Sequence, residues 1–183
     1  MKAAKPDVLP GPLAEPEPPP MTIAQVTAIA DVLARHGVEY ILIGGMGGQI
    51  QGVPVGVTRD ADFTARQTGQ NLERVVNALR DLGARVRIEG DSPYDVPLTK
   101  EFLAGMVSVQ LVTDHGPMDI NFRPDGTEGY DDLIRNAAVV ELNGISVTVA
   151  DVADIVRSKQ AAGRPKDVLS LPTYLRWLRA RGK

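Results

Sequence analysis

Apolar positions recur along this chain with two different periods, and their succession lays out an ordered series of helices and strands. Ile23, Val26, Ile29 (or Ala30) and Leu33 share one helical stripe, with Thr22 and Gln25 at capping-box spacing in front and Gly37 behind. Tyr40–Ile43 is a short apolar run of strand type, and the glycines that follow launch a short helix over Met46–Gln51. Asp62–Ala65 reads as a second strand. Leu72, Val75, Val76, Leu79 and Leu82 then form a second long amphipathic helix that stops at Gly83.

Ala84–Ile88 predicts a further strand, Asp91–Pro97 a polar loop broken by prolines, and Thr99–Leu103 a helical turn. Val107–Thr113 and Met118–Phe122 alternate like strands around Asp114-His115-Gly116, a hairpin signal. A helix over Tyr130–Ala137 follows. Val139–Leu142 and Ile145–Val149 flank Asn143-Gly144, a pair suited to a two-residue hairpin turn. Two helices, Asp151–Ala162 and Pro165–Arg181, close the series, and no internal repeat is present. Strands interleaved with helices in this order predict an α/β (α+β) fold.

Composition narrows the possibilities. A length of 183 residues, 43% of them hydrophobic, suits one folding unit with a real core. Seven prolines among residues 1–20 predict polyproline II or disorder, so the expected plan is a tail over 1–21, a core over 22–150 and a helical segment over 151–183. With no cysteine, disulfides, thiolate metal sites and a cysteine nucleophile are excluded, and a reducing cytoplasm is the expected setting. No apolar run approaches the ~20 residues that span a bilayer, so no membrane partner is expected.

Charge is unevenly spread. The whole chain carries −3, which argues against a general nucleic-acid coat protein, yet the segment from Arg157 onward holds eight basic residues against one acid, Asp167. A basic end on an acidic body suits a polyanion at one pole, but taken alone it is better accounted for by a solvated helix whose cations complement its own C-terminal dipole.

The chemistry concentrates between Tyr40 and Phe63. Asp60 and Asp62 lie two apart at the start of a strand and therefore project to one face, where paired carboxylates can hold magnesium against phosphate oxygens. Asp119, inside a later strand, joins them if that strand lies alongside. Gly44 and Gly45 follow a strand and precede a helix, which exposes backbone N–H groups and lets a phosphate approach closely. Taken singly, the carboxylates fit a capped surface turn and the glycines a plain tight turn. The glycines form neither a P-loop nor a dinucleotide fingerprint. His36, at a helix end, and His115, in a turn, suit surface roles; Tyr174, Trp177 and Leu178 share a helical face of core-packing type.

Taken together, Ile43-Gly44-Gly45, Gln51-Gly52 and Thr58-Arg59-Asp60-Ala61-Asp62-Phe63 resemble the core motif of the nucleotidyltransferase superfamily, in particular small bacterial members akin to AbiE-type and tRNA-modifying toxins. The ending, with Lys159, Arg164, Lys166 and Asp167, resembles the closing helices of such proteins. The resemblance implies a small mixed sheet with helices on one side and C-terminal helices closing the cleft. It implies Asp60, Asp62 and Asp119 as catalytic metal ligands, with Asp119 also helping to deprotonate the attacking hydroxyl. Gly44, Gly45, Thr58, Lys159, Arg164, Lys166 and Asp167 are implied to bind the nucleotide. Mg2+, with Mn2+ as the alternative, is the implied metal and an NTP the substrate. Gly47 stands where relatives often carry alanine, and Gln51 where histidine is common. The implied activity is transfer of NMP to an acceptor hydroxyl, foremost a tRNA 3′ end, by a toxin with a cognate antitoxin as partner. The alternatives are an aminoglycoside- or lincosamide-type small molecule, a protein acceptor, or a non-catalytic nucleotide-binding or interaction protein.

Overall fold

The computed structural model describes residues 19–88 and 93–182. Most of the expected tail, part of the Asp91–Pro97 loop and Lys183 lie outside the described residues. The first helix, α1 (Ile23–Arg35), begins with the full capping box: the Thr22 hydroxyl accepts from Gln25 N–H at 3.2 Å, and the Gln25 side chain accepts from Thr22 N–H at 2.9 Å. Val26, Ile29, Ala30 and Leu33 of its stripe are buried, while Ile23 in the first turn is exposed. A fully buried strand, β1 (Tyr40–Ile43), follows, then α2 (Gly44–Ile50), β2 (Ala61–Ala65) and α3 (Gly69–Asp81). Thr68 caps α3 by accepting from Asn71 N–H, and His36 ties the end of α1 to Asp81 at the end of α3 at 2.7 Å.

The remaining elements are β3 (Arg85–Val86), α4 (Lys100–Ala104), β4 (Ser108–Thr113), β5 (Gly116–Asn121), α5 (Tyr130–Leu133), β6 (Ala138–Leu142), β7 (Ile145–Val149), α6 (Val152–Ala162) and α7 (Pro165–Ala180). Two of them are shorter than the sequence pattern predicts. β3 keeps only the residues that pair with Leu111 and Val112. α5 ends after one turn, and Asn136 turns its side chain to the buried Asp154 instead of extending the helix. The β6–β7 turn forms as read, with Asn143 at φ +51° and Gly144 at φ +82°. Pro172 inside α7 removes one helical N–H, and its i−4 residue, Val168, is exposed, so water can satisfy the freed carbonyl. Among the described residues no helix is long and apolar enough to cross a membrane.

Among the described residues, seven strands join one mixed sheet in the order β3-β4-β5-β2-β1-β7-β6. β2 runs antiparallel to β1 and parallel to β5; β7 runs parallel to β1. Alternation along β1 sends Tyr40 and Leu42 into a large core with α1 and α3, and Ile41 and Ile43 into a second core with α6 and α7. Helices therefore cover both faces at the middle of the sheet, rather than the one side implied by the resemblance. The second layer exists because β1 is apolar at all four positions and must be shielded twice.

Candidate active site

The three aspartates are gathered by strand register. Asp62 lies opposite Ile43 of β1 on one side and opposite Asp119 of β5 on the other, and Asp60 immediately precedes β2 two residues before it. Each of the three offers a carboxylate oxygen lying within 4.8 Å of the other two. Burial raises Asp62, and the neighbouring Asp60 and Asp119 raise it further, to about 7; Lys166 and Arg164 pull the other way. Asp119 is also raised, first by burial and then by Asp60, with the Arg87 guanidinium and Gln110 opposing. Three converging carboxylates with no softer donor are a donor set for a hard divalent cation such as Mg2+ or Mn2+, whose charge offsets the repulsion between them.

The glycines make the wall that faces this cluster. A Cβ on Gly44 would lie 2.0 Å from Asp62 Oδ2, and the residue's φ of +71° already requires glycine. A Cβ on Gly45 would meet Thr58 Oγ1 at 2.9 Å. Thr58 is held close because its hydroxyl donates to the Asp60 carbonyl at 3.3 Å. Gly48 leaves room for the Tyr174 ring, whose hydroxyl would otherwise sit 2.4 Å from a Cβ. These glycines thus bring the loop, β2 and α7 against one turn.

The two residues at which the chain departs from the motif it resembles, Gly47 and Gln51, have structural reasons. A Cβ on Gly47 would press on Ile155 Cδ1 and the Leu42 carbonyl oxygen, both at 3.3 Å. Gln51 Nε2 donates to the carbonyls of Gly47 at 2.9 Å and Ala150 at 2.8 Å, joining α2 to the end of β7. Replacing Gln51 by Leu leaves these acceptors without the donor, and a loss of about 1–3 kcal/mol in urea unfolding is expected.

The C-terminal helices supply positive charge opposite the aspartates. Lys159 of α6 donates to Asp167 at 2.7 Å, and Arg164, before α7, donates to its other oxygen at 2.6 Å. Asp167 itself is 0% exposed and Lys159 only 13%. Burial alone would raise Asp167, but the two cations hold it below the ordinary carboxylate value. Its position makes it the residue that fixes Lys159 and Arg164 relative to the cleft. Asp167→Asn leaves Lys159 nearly buried without a full counter-charge, and a stability loss of about 3 kcal/mol is expected in urea unfolding. Lys166, exposed on α7, has no ion pair among the described residues.

Gly44, Gly45, Thr58, Asp60 and Asp62 line one side of a cleft of about 400 Å3; Lys159, Arg164, Lys166 and Asp167 line the other. Asp119 lies beyond this lining, on the β4 side of the cluster, where Arg87 Nη2 donates to its Oδ1 at 3.1 Å and Gln110 Nε2 to its Oδ2 at 3.3 Å. Two contributors were not singled out in the sequence, and a third does more than its spacing indicates. Arg87 and Gln110 carry no motif, and only the strand register brings them to Asp119. Tyr174 has the apolar spacing of a core residue, is buried as that spacing predicts, and in addition donates to the Gly44 carbonyl at 3.4 Å. Trp177 packs beside the second core and donates to Gly52 O at 2.9 Å; His115 stays in its turn.

No protein-family model and no curated protein sequence matches the chain. Solved structures do. TM1012 of Thermotoga maritima, assigned as a nucleotidyltransferase, superposes with a TM-score of 0.54 at 18% identity over 86% of this chain and 92% of its own. Lincosamide antibiotic adenylyltransferase LnuA, with lincomycin bound, gives 0.59 at 14% identity over 85% and 98%. The antibiotic-resistance factor ANT(2'')-Ia gives 0.56 at 15% identity over 87% and 85%. This is the nucleotidyltransferase fold. Here a parallel β2–β5 pair brings the aspartates together beside a glycine-walled cleft, and the terminal helices line its opposite side.

Proposed function

We propose that this nucleotidyltransferase-fold protein transfers a nucleoside monophosphate from an NTP to an acceptor hydroxyl. The observation that carries the reading is the convergence of Asp60, Asp62 and Asp119 beside a cleft whose opposite wall holds Lys159, Arg164 and Lys166. A divalent cation held by the three aspartates would polarise the phosphoryl oxygens and acidify the acceptor hydroxyl. Gly44 and Gly45 leave space for the β and γ phosphates beside Thr58, while the cations neutralise their charge. The acceptor oxygen bonds to the α-phosphorus, the α–β bridging P–O bond breaks, and pyrophosphate leaves toward Lys159, Arg164 and Lys166. Asp119, whose proton affinity is raised by burial, receives the hydroxyl proton.

An RNA acceptor, such as the tRNA 3′ end of a toxin's target, draws support from the exposed Arg176, Arg179 and Arg181 along the end of α7. A small-molecule acceptor draws support from the antibiotic-modifying proteins among the solved structures. Incubation with each α-labelled NTP, Mg2+ and, in parallel, total cellular RNA, a lincosamide or an aminoglycoside separates them. Label on RNA supports the first reading and label on an antibiotic the second. Absence of label from every acceptor, and from protein in a parallel arm with total cell lysate, would overturn nucleotidyl transfer.

A further inference from the structure

One row of side chains crosses four strands on a single sheet face. Asp62 of β2 stands opposite Asp119 of β5, which stands opposite Gln110 of β4; Arg87, just past β3, donates its backbone N–H to the Gln110 carbonyl at 2.9 Å. The next positions on that face are Ser108 opposite Asn121 and Arg85 opposite Val112. The other face of the same strands, through Val109, Leu111, Met118 and Ile120, is sealed by the α1–α3 core. The second helical layer takes no residue from β3, β4 or β5 among the described residues, so the face bearing the row is left without a helix over it. Ser108, Gln110 and Arg85 are exposed there, and Arg87 is half-buried.

This bare face adjoins the nucleotide cleft, which takes in Asn121 of β5 but not Asp119. Asp60 and Asp62 line the cleft and Asp119 does not, so the triphosphate occupies one side of the cluster and the side toward Arg87 is open. In-line displacement requires the nucleophile to enter opposite the leaving pyrophosphate. With pyrophosphate departing toward Lys159 and Arg164, the acceptor approaches over β5 and β4. The first charged groups it meets are Arg87 and Arg85. Arg87 holds Asp119 through Nη2 and its Nε is buried, so the donors left to meet an incoming group are on its Nη atoms.

We infer that the exposed β3–β4–β5 face is the acceptor platform and that Arg85 and Arg87 select an acceptor with a phosphodiester next to its attacking hydroxyl, the end of a nucleic-acid strand. The selection follows from charge. Two guanidiniums beside the entry path attract a phosphate and match its oxygens bidentately, whereas a polyamine antibiotic meets like charge there. Gln110 and Ser108 add neutral donors between the arginines and the aspartates. The inference rests on the nucleotidyl-transfer reading for the direction of approach, and it adds the residues that choose the acceptor.

The test uses the full chain and a 5′-fluorescein RNA dodecamer, with Mg2+ but without NTP, read by anisotropy across a salt series. Arg85→Gln with Arg87→Gln is expected to weaken binding about tenfold and to flatten the dependence of log affinity on log salt by about 0.7 for each phosphate no longer neutralised. Arg87→Lys keeps the charge but loses the fork, so it is expected to keep the wild-type salt slope while recovering only part of the affinity. Should the double variant fail to fold by circular dichroism, Arg85→Gln alone carries the comparison. Unchanged affinity and salt slope in the folded variants would overturn the platform, as would tighter binding of neomycin than of the dodecamer by the wild type. Magnesium-dependent NTP binding, followed separately by thermal shift, reports on the nucleotide side. Its absence in the wild type would sink nucleotidyl transfer while leaving the anisotropy result readable.

Discussion

Asp62→Asn is expected to abolish nucleotidyl transfer and at the same time to stabilise the metal-free chain at neutral pH. The rate should fall on the order of a thousandfold, because one of three converging oxygen ligands is lost and metal stabilisation of a phosphoryl transition state is worth several kcal/mol. Stability moves the other way for an electrostatic reason. Asp62 rises from 3.8 to about 7 on folding, through burial first and the like charges of Asp60 and Asp119 second. The folded state therefore binds this proton more tightly than the unfolded state. The associated stability is complete below about pH 4 and is lost as pH rises toward 7, at up to roughly 1.4 kcal/mol per pH unit. Thermal melts of the wild type in EDTA should fall across that window, melts of Asp62→Asn should be flatter, and added Mg2+ should restore the wild type but not the variant. An equal pH slope in the two proteins would remove the aspartate cluster as the cause.

Gly44→Ala tests the same cluster from its other wall. The substitution places an L residue at φ +71°, at a cost of about 1–2 kcal/mol, and puts a methyl group 2.0 Å from Asp62 Oδ2. Only a movement of the Asp62 carboxylate relieves the overlap. Divalent-cation affinity, measured by Mn2+ titration with EPR detection, is expected to drop by at least about tenfold, the effect of disturbing a supporting group around a metal. Gly52→Ala is the control. It also alters a positive-φ glycine, at +85°, but its Cβ meets nothing within 4 Å, so a backbone penalty without loss of Mn2+ affinity is expected. Equal Mn2+ affinity in Gly44→Ala and the wild type would show that the glycine wall does not shape the aspartate site.

Local signals were readable where a residue's own neighbours decide its state. The Thr22–Gln25 capping box, the Asn143-Gly144 turn and the stripes of α1 and α3 needed only short-range geometry, and they formed as read. Asp60 and Asp62 were legible as a pair because two-residue spacing fixes their direction. The partnership with Asp119 depended on β2 and β5 lying side by side, a fact that spacing along the chain does not contain. Arg87 and Gln110 reach Asp119 through the β3–β4–β5 registers, which are equally non-local. The helical layer over the second face of β1 was hidden for a related reason, since an apolar tetrapeptide does not announce what will cover it. Asp167 offered a cation-rich context but no sign that it would be the buried anchor between Lys159 and Arg164.

The pairing of β1 with β7 carries a consequence for synthesis. Leu42 meets Val149, a pairing that spans more than half of the chain, and the α6–α7 segment that faces the aspartates comes later still. At roughly 5–20 residues per second, a ribosome finishes β1 many seconds before its parallel neighbour exists. During that interval both flanking positions in the sheet cannot be filled, and the cations that oppose the aspartates are not yet made. A nascent chain translated only through β7 therefore lacks the wall that faces the aspartates across the cleft. The cleft is thus completed by α6 and α7, well after the strands that hold the aspartates have been made.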